Sequence, residues 1–145
     1  MNGKAKKIIT AFLIIVVLGA AAGYYLWNKP HLNVSGTEGL KIDAAILYNA
    51  FIGDSAAANK NFVQQVVEVS GTVTGVSKNQ QNQRVVLFKT AIEGASVNCT
   101  FEERLDTIAK GSTIKIKGIC SGMGQGDADL GIMGDVYLVR CYLVK

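Results

Sequence analysis

An uninterrupted apolar stretch near the N-terminus, residues 8–27, constrains the fold of this chain more than any other feature. As a helix rising about 1.5 Å per residue it would reach about 30 Å, the thickness of the hydrocarbon core of a bilayer. The basic tail before it, residues 1–7, carries Lys4, Lys6 and Lys7. The positive-inside rule therefore predicts a single-pass protein of the cytoplasmic (inner) membrane whose C-terminal domain is extracytoplasmic, or periplasmic.

A cleaved signal peptide is the alternative interpretation of the same residues. The small residues 20–22, followed by Gly23, resemble a cleavage site. The apolar character nevertheless continues to Trp27, and Tyr24 and Tyr25 stand where an interfacial aromatic belt belongs. We favour a retained signal anchor over residues 8–27, and cleavage near Gly23 stays open.

The charge balance argues against a general nucleic-acid binder. The chain has 15 Lys and Arg against 11 Asp and Glu, and three of these lysines lie in the tail. The part that follows the anchor is therefore nearly neutral, whereas a nucleic-acid-binding domain is expected to carry a basic surface.

Beyond the anchor, the sequence predicts a tether over residues 28–40 and one domain over residues 41–145, preceded by helices. Apolar residues at three- and four-residue spacing predict a helix that begins at Ile42 and is ended by Gly53. A second short helix is predicted over residues 56–62, with Asp54 or Ser55 as its N-cap.

The remainder of the domain has the alternation of five half-buried strands. The first strand begins at Val67 and contains a predicted bulge at Gly75, and a polar hairpin tip leads to the second strand. An irregular link separates the third strand from the fourth. The five strands are predicted over residues 67–76, 84–89, 95–101, 113–120 and 136–144. The fold class is mainly β, a five-stranded Greek-key OB barrel with N-terminal capping helices, preceded by one transmembrane helix.

Several runs of this barrel resemble the tRNA_anti-like OB-fold family, in particular its membrane-anchored bacterial members. The runs that carry the resemblance are residues 66–73, 99–101, 110–122 and 135–141, together with 56–60 before the barrel and 25–31 after the anchor. The resemblance implies the OB fold but no particular activity, because likeness of fold does not identify a ligand.

Three cysteines, Cys99, Cys120 and Cys141, all fall in the inward phase of their strands. In an exported domain such residues can form a disulfide. Because the third and fifth strands of this barrel are neighbours and run parallel, Cys99 and Cys141 are the predicted pair. The interpretation that we favour over this disulfide is that all three cysteines are buried thiols that pack as small hydrophobic residues.

The expected function is a binding or interaction module of unknown ligand, favouring a protein or saccharide of the envelope, as OB barrels commonly bind. The alternative is a single-stranded nucleic-acid binder, which needs cations beside exposed aromatic rings. The candidate ligand-binding residues are Arg84, Lys89, Lys115, Lys117, Tyr137, Arg140 and Tyr142.

No catalytic residue, metal site or cofactor is predicted. The single histidine, His31, lies at the membrane junction, so the sequence offers neither a histidine-based triad nor a histidine-rich metal site. We therefore expect that the protein is not an enzyme.

Overall fold

The computed structural model describes residues 3–28 and 33–145, which divide into two compact units, Met1–Asn33 and Val34–Lys145. The first unit contains helix α1, Gly3–Trp27, which has no buried residue. With a mean hydropathy of 2.2, α1 is long and apolar enough to cross a membrane, and a signal sequence would have the same properties. His31 lies outside the described residues.

The second unit contains six strands and two helices. They are β1 (Leu40–Asp43), α2 (Ala44–Gly53), α3 (Ser55–Phe62), β2 (Val66–Lys78), β3 (Arg84–Lys89), β4 (Ser96–Phe101), β5 (Thr113–Met123) and β6 (Val136–Leu143).

Strands β2 to β6 form the predicted closed five-stranded barrel. The sheet order is β1-β2-β3-β4-β6-β5, and an additional pairing of β2 with β5 closes it. The first half of β2 pairs with β5, and its second half pairs with β3 after the register shift between Val73 and Gly75. The bulge predicted at Gly75 is thus confirmed. Strands β4 and β6 are parallel neighbours, as expected for this barrel.

Strand β1 was not predicted, and it changes the start of the domain. It pairs in parallel with β2, and its last residue, Asp43, accepts a hydrogen bond from Ala45 N–H as the N-cap of α2. The prediction that the helix begins at Ile42 is therefore wrong, because Ile42 pairs with Val69 in the sheet. Val34, expected in the tether, is 2% exposed and belongs to the barrel unit.

The helices pack their apolar sides on the barrel. Leu47, Tyr48 and Phe51 of α2 are buried, and the hydroxyl of Tyr48 donates to the Gly134 carbonyl oxygen at 2.7 Å. Helix α3 is capped by Asp54, which accepts from Ala57 N–H. Tyr48 can be buried because its hydroxyl has a hydrogen-bond partner in the Gly134 carbonyl oxygen. The hydrogen bond from Tyr48 to Gly134 ties α2 to the loop that leads into β6.

Candidate ligand-binding surface

The outer surface of β3, β4 and β6, which we call the β3–β4–β6 face, corresponds to the region where OB barrels hold their ligands. Alternation along each strand positions its side chains, since inward neighbours such as Phe88, Cys99 and Leu138 are fully buried. The outward residues are Val85, Leu87, Lys89, Ser96, Asn98, Thr100, Tyr137 and Val139. The face is therefore largely uncharged.

An ordered polar cluster lies on this face where β4 and β6 begin. The Asp135 carboxylate accepts hydrogen bonds from Ser96 N–H at 2.8 Å and from the Asn98 side-chain amide at 3.1 Å. The Ser96 hydroxyl lies 3.1 Å from the Asn98 Oδ1 atom and donates to it. These bonds hold the three side chains in one geometry at a half-buried position.

Tyr137 stands beside that cluster. It is 42% exposed, and its strand partners are Asn98 on β4 and Gly122 on β5. Its ring lies against Gly124, where an added Cβ would be 2.7 Å from the Tyr137 Cε2 atom. The absence of a side chain at Gly124 therefore gives the ring room to pack against the backbone.

A cleft of about 600 Å³ opens at the end of β3, and it shares Ser96 with the polar cluster. Leu87, Lys89 and Thr90 line it together with the turn that connects β3 to β4. The Thr90 hydroxyl lies 2.9 Å from the carbonyl oxygens of both Ile92 and Ala95, which share its single hydrogen, and it accepts a hydrogen bond from Ile92 N–H. These bonds hold this wall of the cleft.

Two loops flank the β3–β4–β6 face. In the β2–β3 hairpin, Asn79 accepts from Gln81 N–H and Gln83 N–H and thereby fixes the polar tip. In the β5–β6 loop, residues 124–135, Asp127 accepts from the N–H groups of Asp129 and Leu130. The same loop exposes apolar side chains at its tip, namely Leu130, Ile132 and Met133.

The predicted cations are not brought together. Among the predicted cations, Lys89 alone lies on the β3–β4–β6 face. Arg84, at the hairpin end of β3, donates to the Asp106 carbonyl oxygen at 3.3 Å. Lys115 and Lys117 lie on β5, where their strand partners on β2 are Ser70 and Glu68 respectively.

Arg140 and Tyr142 lie at the far end of β6 from Tyr137, beside an acidic residue. Arg140 Nε is 3.4 Å from a Glu102 carboxylate oxygen, and the Tyr142 hydroxyl donates to the same oxygen at 3.2 Å. Desolvation, followed by the hydrogen bond and charge of Glu102, raises the pKa of Tyr142, although Arg140 acts in the opposite direction. Lys117 is the strand partner of Tyr142. This end of β6 is thus charged.

The three cysteines are free and buried. Burial raises the pKa of the Cys99 thiol well above its usual value, and a hydrogen bond with Cys141 raises it further. Burial also raises the pKa of Cys120. Such thiols are poor nucleophiles. Cys99 and Cys141 are adjacent as free thiols, and a disulfide between them stays a prediction.

The sequence did not single out Ser96, Asn98 and Asp135. Alternation along β4 placed Ser96 and Asn98 on the outside, but many outward positions are polar. Only the parallel pairing of β4 with β6, which is remote in sequence, brings Asp135 to them. Within the described ranges, no group of three or more His, Cys, Asp or Glu side chains could hold a metal ion.

Comparison with known proteins points to one family. The model of the family described as tRNA_anti-like matches residues 1–130. None of the curated proteins searched matches the chain. A crystal structure described as an aspartyl-tRNA synthetase from Leishmania major Friedlin is similar with a TM-score of 0.45 and 13% sequence identity. That similarity covers 87% of this chain but only 25% of the other, so this chain spans about a quarter of its length.

Proposed function

The chain belongs to the tRNA_anti-like family, and from this premise we propose that it is a membrane-anchored, extracytoplasmic binding module that holds a protein or saccharide of the envelope. The observation that carries the proposal is the β3–β4–β6 face, where an ordered polar cluster and an exposed tyrosine adjoin a cleft of about 600 Å³. Ligand sites combine apolar lining with a few positioned polar groups in this way.

The membrane side of the proposal is supported by the apolar helix α1 and the three lysines of the tail that precedes it. Protease added to intact spheroplasts should remove the barrel unit while the anchor stays in the membrane. A mature N-terminus at Gly23 would instead mean that the anchor is cleaved, and protection of the barrel unit would mean that it faces the cytoplasm.

We propose no catalytic role. In the part of the chain that the structure describes, the polar cluster of the face contains one carboxylate, Asp135, and that carboxylate accepts two hydrogen bonds from β4. A general acid–base pair or an activated nucleophile would need a second titratable group within hydrogen-bond reach.

A nucleic-acid ligand is less well supported than an uncharged one. Base stacking on Tyr137 would need cations around that ring to hold the phosphate backbone. The strand partners of Tyr137 are Asn98 and Gly122, whereas Arg140 is paired with Glu102 and Lys117 lies beside Tyr142. Of the predicted cations, only Lys89 therefore lies on the same face as the exposed ring.

The proposal is tested by photo-cross-linking in intact cells from two exposed lysine positions. Lys89 lies at the cleft, and Lys115 lies on β5 and does not line it. A photoreactive residue at position 89 should give a discrete covalent adduct in the envelope, and the same residue at position 115 should give none. An adduct from position 115 alone would refute the assignment of the β3–β4–β6 face.

A further inference from the structure

The Tyr137 end of the β3–β4–β6 face combines two features that suit one class of ligand. One is a ring that is 42% exposed, and the other is the hydrogen-bonded cluster of Ser96, Asn98 and Asp135. Asn98 is the strand partner of Tyr137, so the cluster and the ring are adjacent. We infer that this end is a subsite for a neutral pyranose ring of an oligosaccharide. The inference rests on the function proposed above and names its ligand class.

The ring supplies an apolar platform. The face of an aromatic ring carries partial negative charge, which attracts the C–H bonds on the flat side of a sugar. Because Gly124 has no side chain, one side of the Tyr137 ring packs against the backbone there. A tyrosine has few rotatable bonds, so little conformational freedom is lost when a ligand stacks on it.

The polar cluster supplies donors and acceptors in fixed positions, which the hydroxyl groups of a sugar require. The Asn98 amide has two N–H donors, and one of them is used for Asp135. A carboxylate has about four lone-pair positions, and the Asp135 carboxylate accepts two hydrogen bonds from the protein. Capacity therefore remains on both side chains at a site that is already ordered.

The charge of the subsite favours a neutral ligand over an anionic one. Asp135 brings a carboxylate to the cluster, and the strand partners of Tyr137 are uncharged. An anionic sugar stacked on Tyr137 would face this carboxylate, and like charges repel at short range. Lys89, the strand partner of Ser96, lies toward the cleft, so the discrimination against an anion applies at the Tyr137 ring. The cleft that shares Ser96 has room for further sugar units.

The test is a titration of the isotope-labelled full chain in a detergent without a sugar headgroup, followed by NMR. The probe is chitotetraose, a neutral β-1,4-linked tetrasaccharide, with tetragalacturonate as the anionic comparison. Chitotetraose should shift the resonances of the Asn98 side-chain amide and of the Tyr137 ring. It should leave the Lys115 resonances unchanged. The anionic probe should bind more weakly.

Two tyrosine variants on the same strand make a matched pair. Tyr137→Ala should weaken chitotetraose binding by about tenfold, the upper range of an aromatic contact. Tyr142→Ala, at the other end of β6, should leave the affinity unchanged. Equal effects of both variants, tighter binding of tetragalacturonate, or no shift with chitotetraose would overturn the saccharide inference. If saccharide binding fails but a cross-linked adduct forms from position 89, the proposed function stands and only the saccharide inference is rejected. If neither the adduct nor saccharide binding is observed, both the proposed function and the saccharide inference are rejected.

Discussion

The two ends of strand β6 each carry a tyrosine, in opposite chemical surroundings. Tyr137 has Asn98 and Gly122 as strand partners and is 42% exposed. Tyr142 has Lys117 as a strand partner and hydrogen-bonds Glu102. The two tyrosines are five positions apart, about 16 Å along an extended strand. The difference teaches that Arg140 of β6 and Lys117 of β5 lie beside Tyr142 and not beside the exposed Tyr137 ring, whereas a nucleic-acid platform needs cations next to its stacking ring.

The largest effect on stability is expected from a charge placed inside the barrel, because the barrel holds both ends of β6 in position. Val69 and Ile116 are strand partners and are fully buried. Val69→Asp or Ile116→Asp would bury an unpaired carboxylate, and we expect a loss of about 4 kcal/mol or more, enough to unfold the unit. Lys115→Asp, on the outer side of β5, should change stability by about 0.5 kcal/mol or less.

Denaturant unfolding of the three full-length variants measures this difference. Similar destabilisation by Lys115→Asp would mean that the inward and outward phases of β5 have been exchanged, and the comparison of the two ends of β6 would then lose its basis.

Each end of β6 also lies against a glycine, and these glycines should respond differently. A Cβ at Gly118 would be 2.6 Å from the buried Cys141 Sγ, and one at Gly124 would be 2.7 Å from the ring of exposed Tyr137. Gly118→Ala should cost about 1–3 kcal/mol, because the packed interior cannot relax. Gly124→Ala should cost less, since the ring can move into solvent.

Unfolding midpoints test this pair of variants, and Gly53→Ala is the control because a Cβ there meets nothing within 4 Å. Tyr137 ring resonances should move in Gly124→Ala and stay in place in Gly118→Ala. A greater loss of stability from Gly124→Ala would contradict the expected difference between interior and surface.

The sequence was sufficient to predict most of the barrel. Alternation of buried valines with polar residues predicted β2, and the break at Gly75 predicted its bulge. Strand β1 was missed because its four residues are too few for a pattern, and Ile42 also fits the helical spacing that follows. The hydrogen-bonded cluster was missed because Asp135 reaches Ser96 across 39 residues of sequence.

The smallest effect concerns the ionisation of Tyr142. Its pKa is raised from the ordinary value of 10.0, through desolvation and then through the Glu102 carboxylate that accepts its hydrogen. Because the pKa of Tyr142 is higher in the folded chain than in the unfolded chain, the protonated side chain contributes to stability. That contribution is complete below pH 10.0 and is lost as the pH rises through the folded-state pKa.

Glu102→Gln should therefore lower the pKa of Tyr142, as measured by an NMR titration of its ring carbon, and Tyr142→Phe should lessen the loss of stability at alkaline pH. An unchanged Tyr142 pKa in Glu102→Gln would show that the carboxylate does not control this end of β6.

Binding of single-stranded RNA to the full chain in detergent tests the central claim most directly, namely that the charged end of β6 and the exposed ring do not form one nucleic-acid site. At about 0.15 M salt we predict no binding tighter than about 100 μM, since a few scattered cations release few counterions. Micromolar binding that weakens steeply with added salt, and that is lost in the Lys115→Glu and Lys117→Glu variants, would contradict the account.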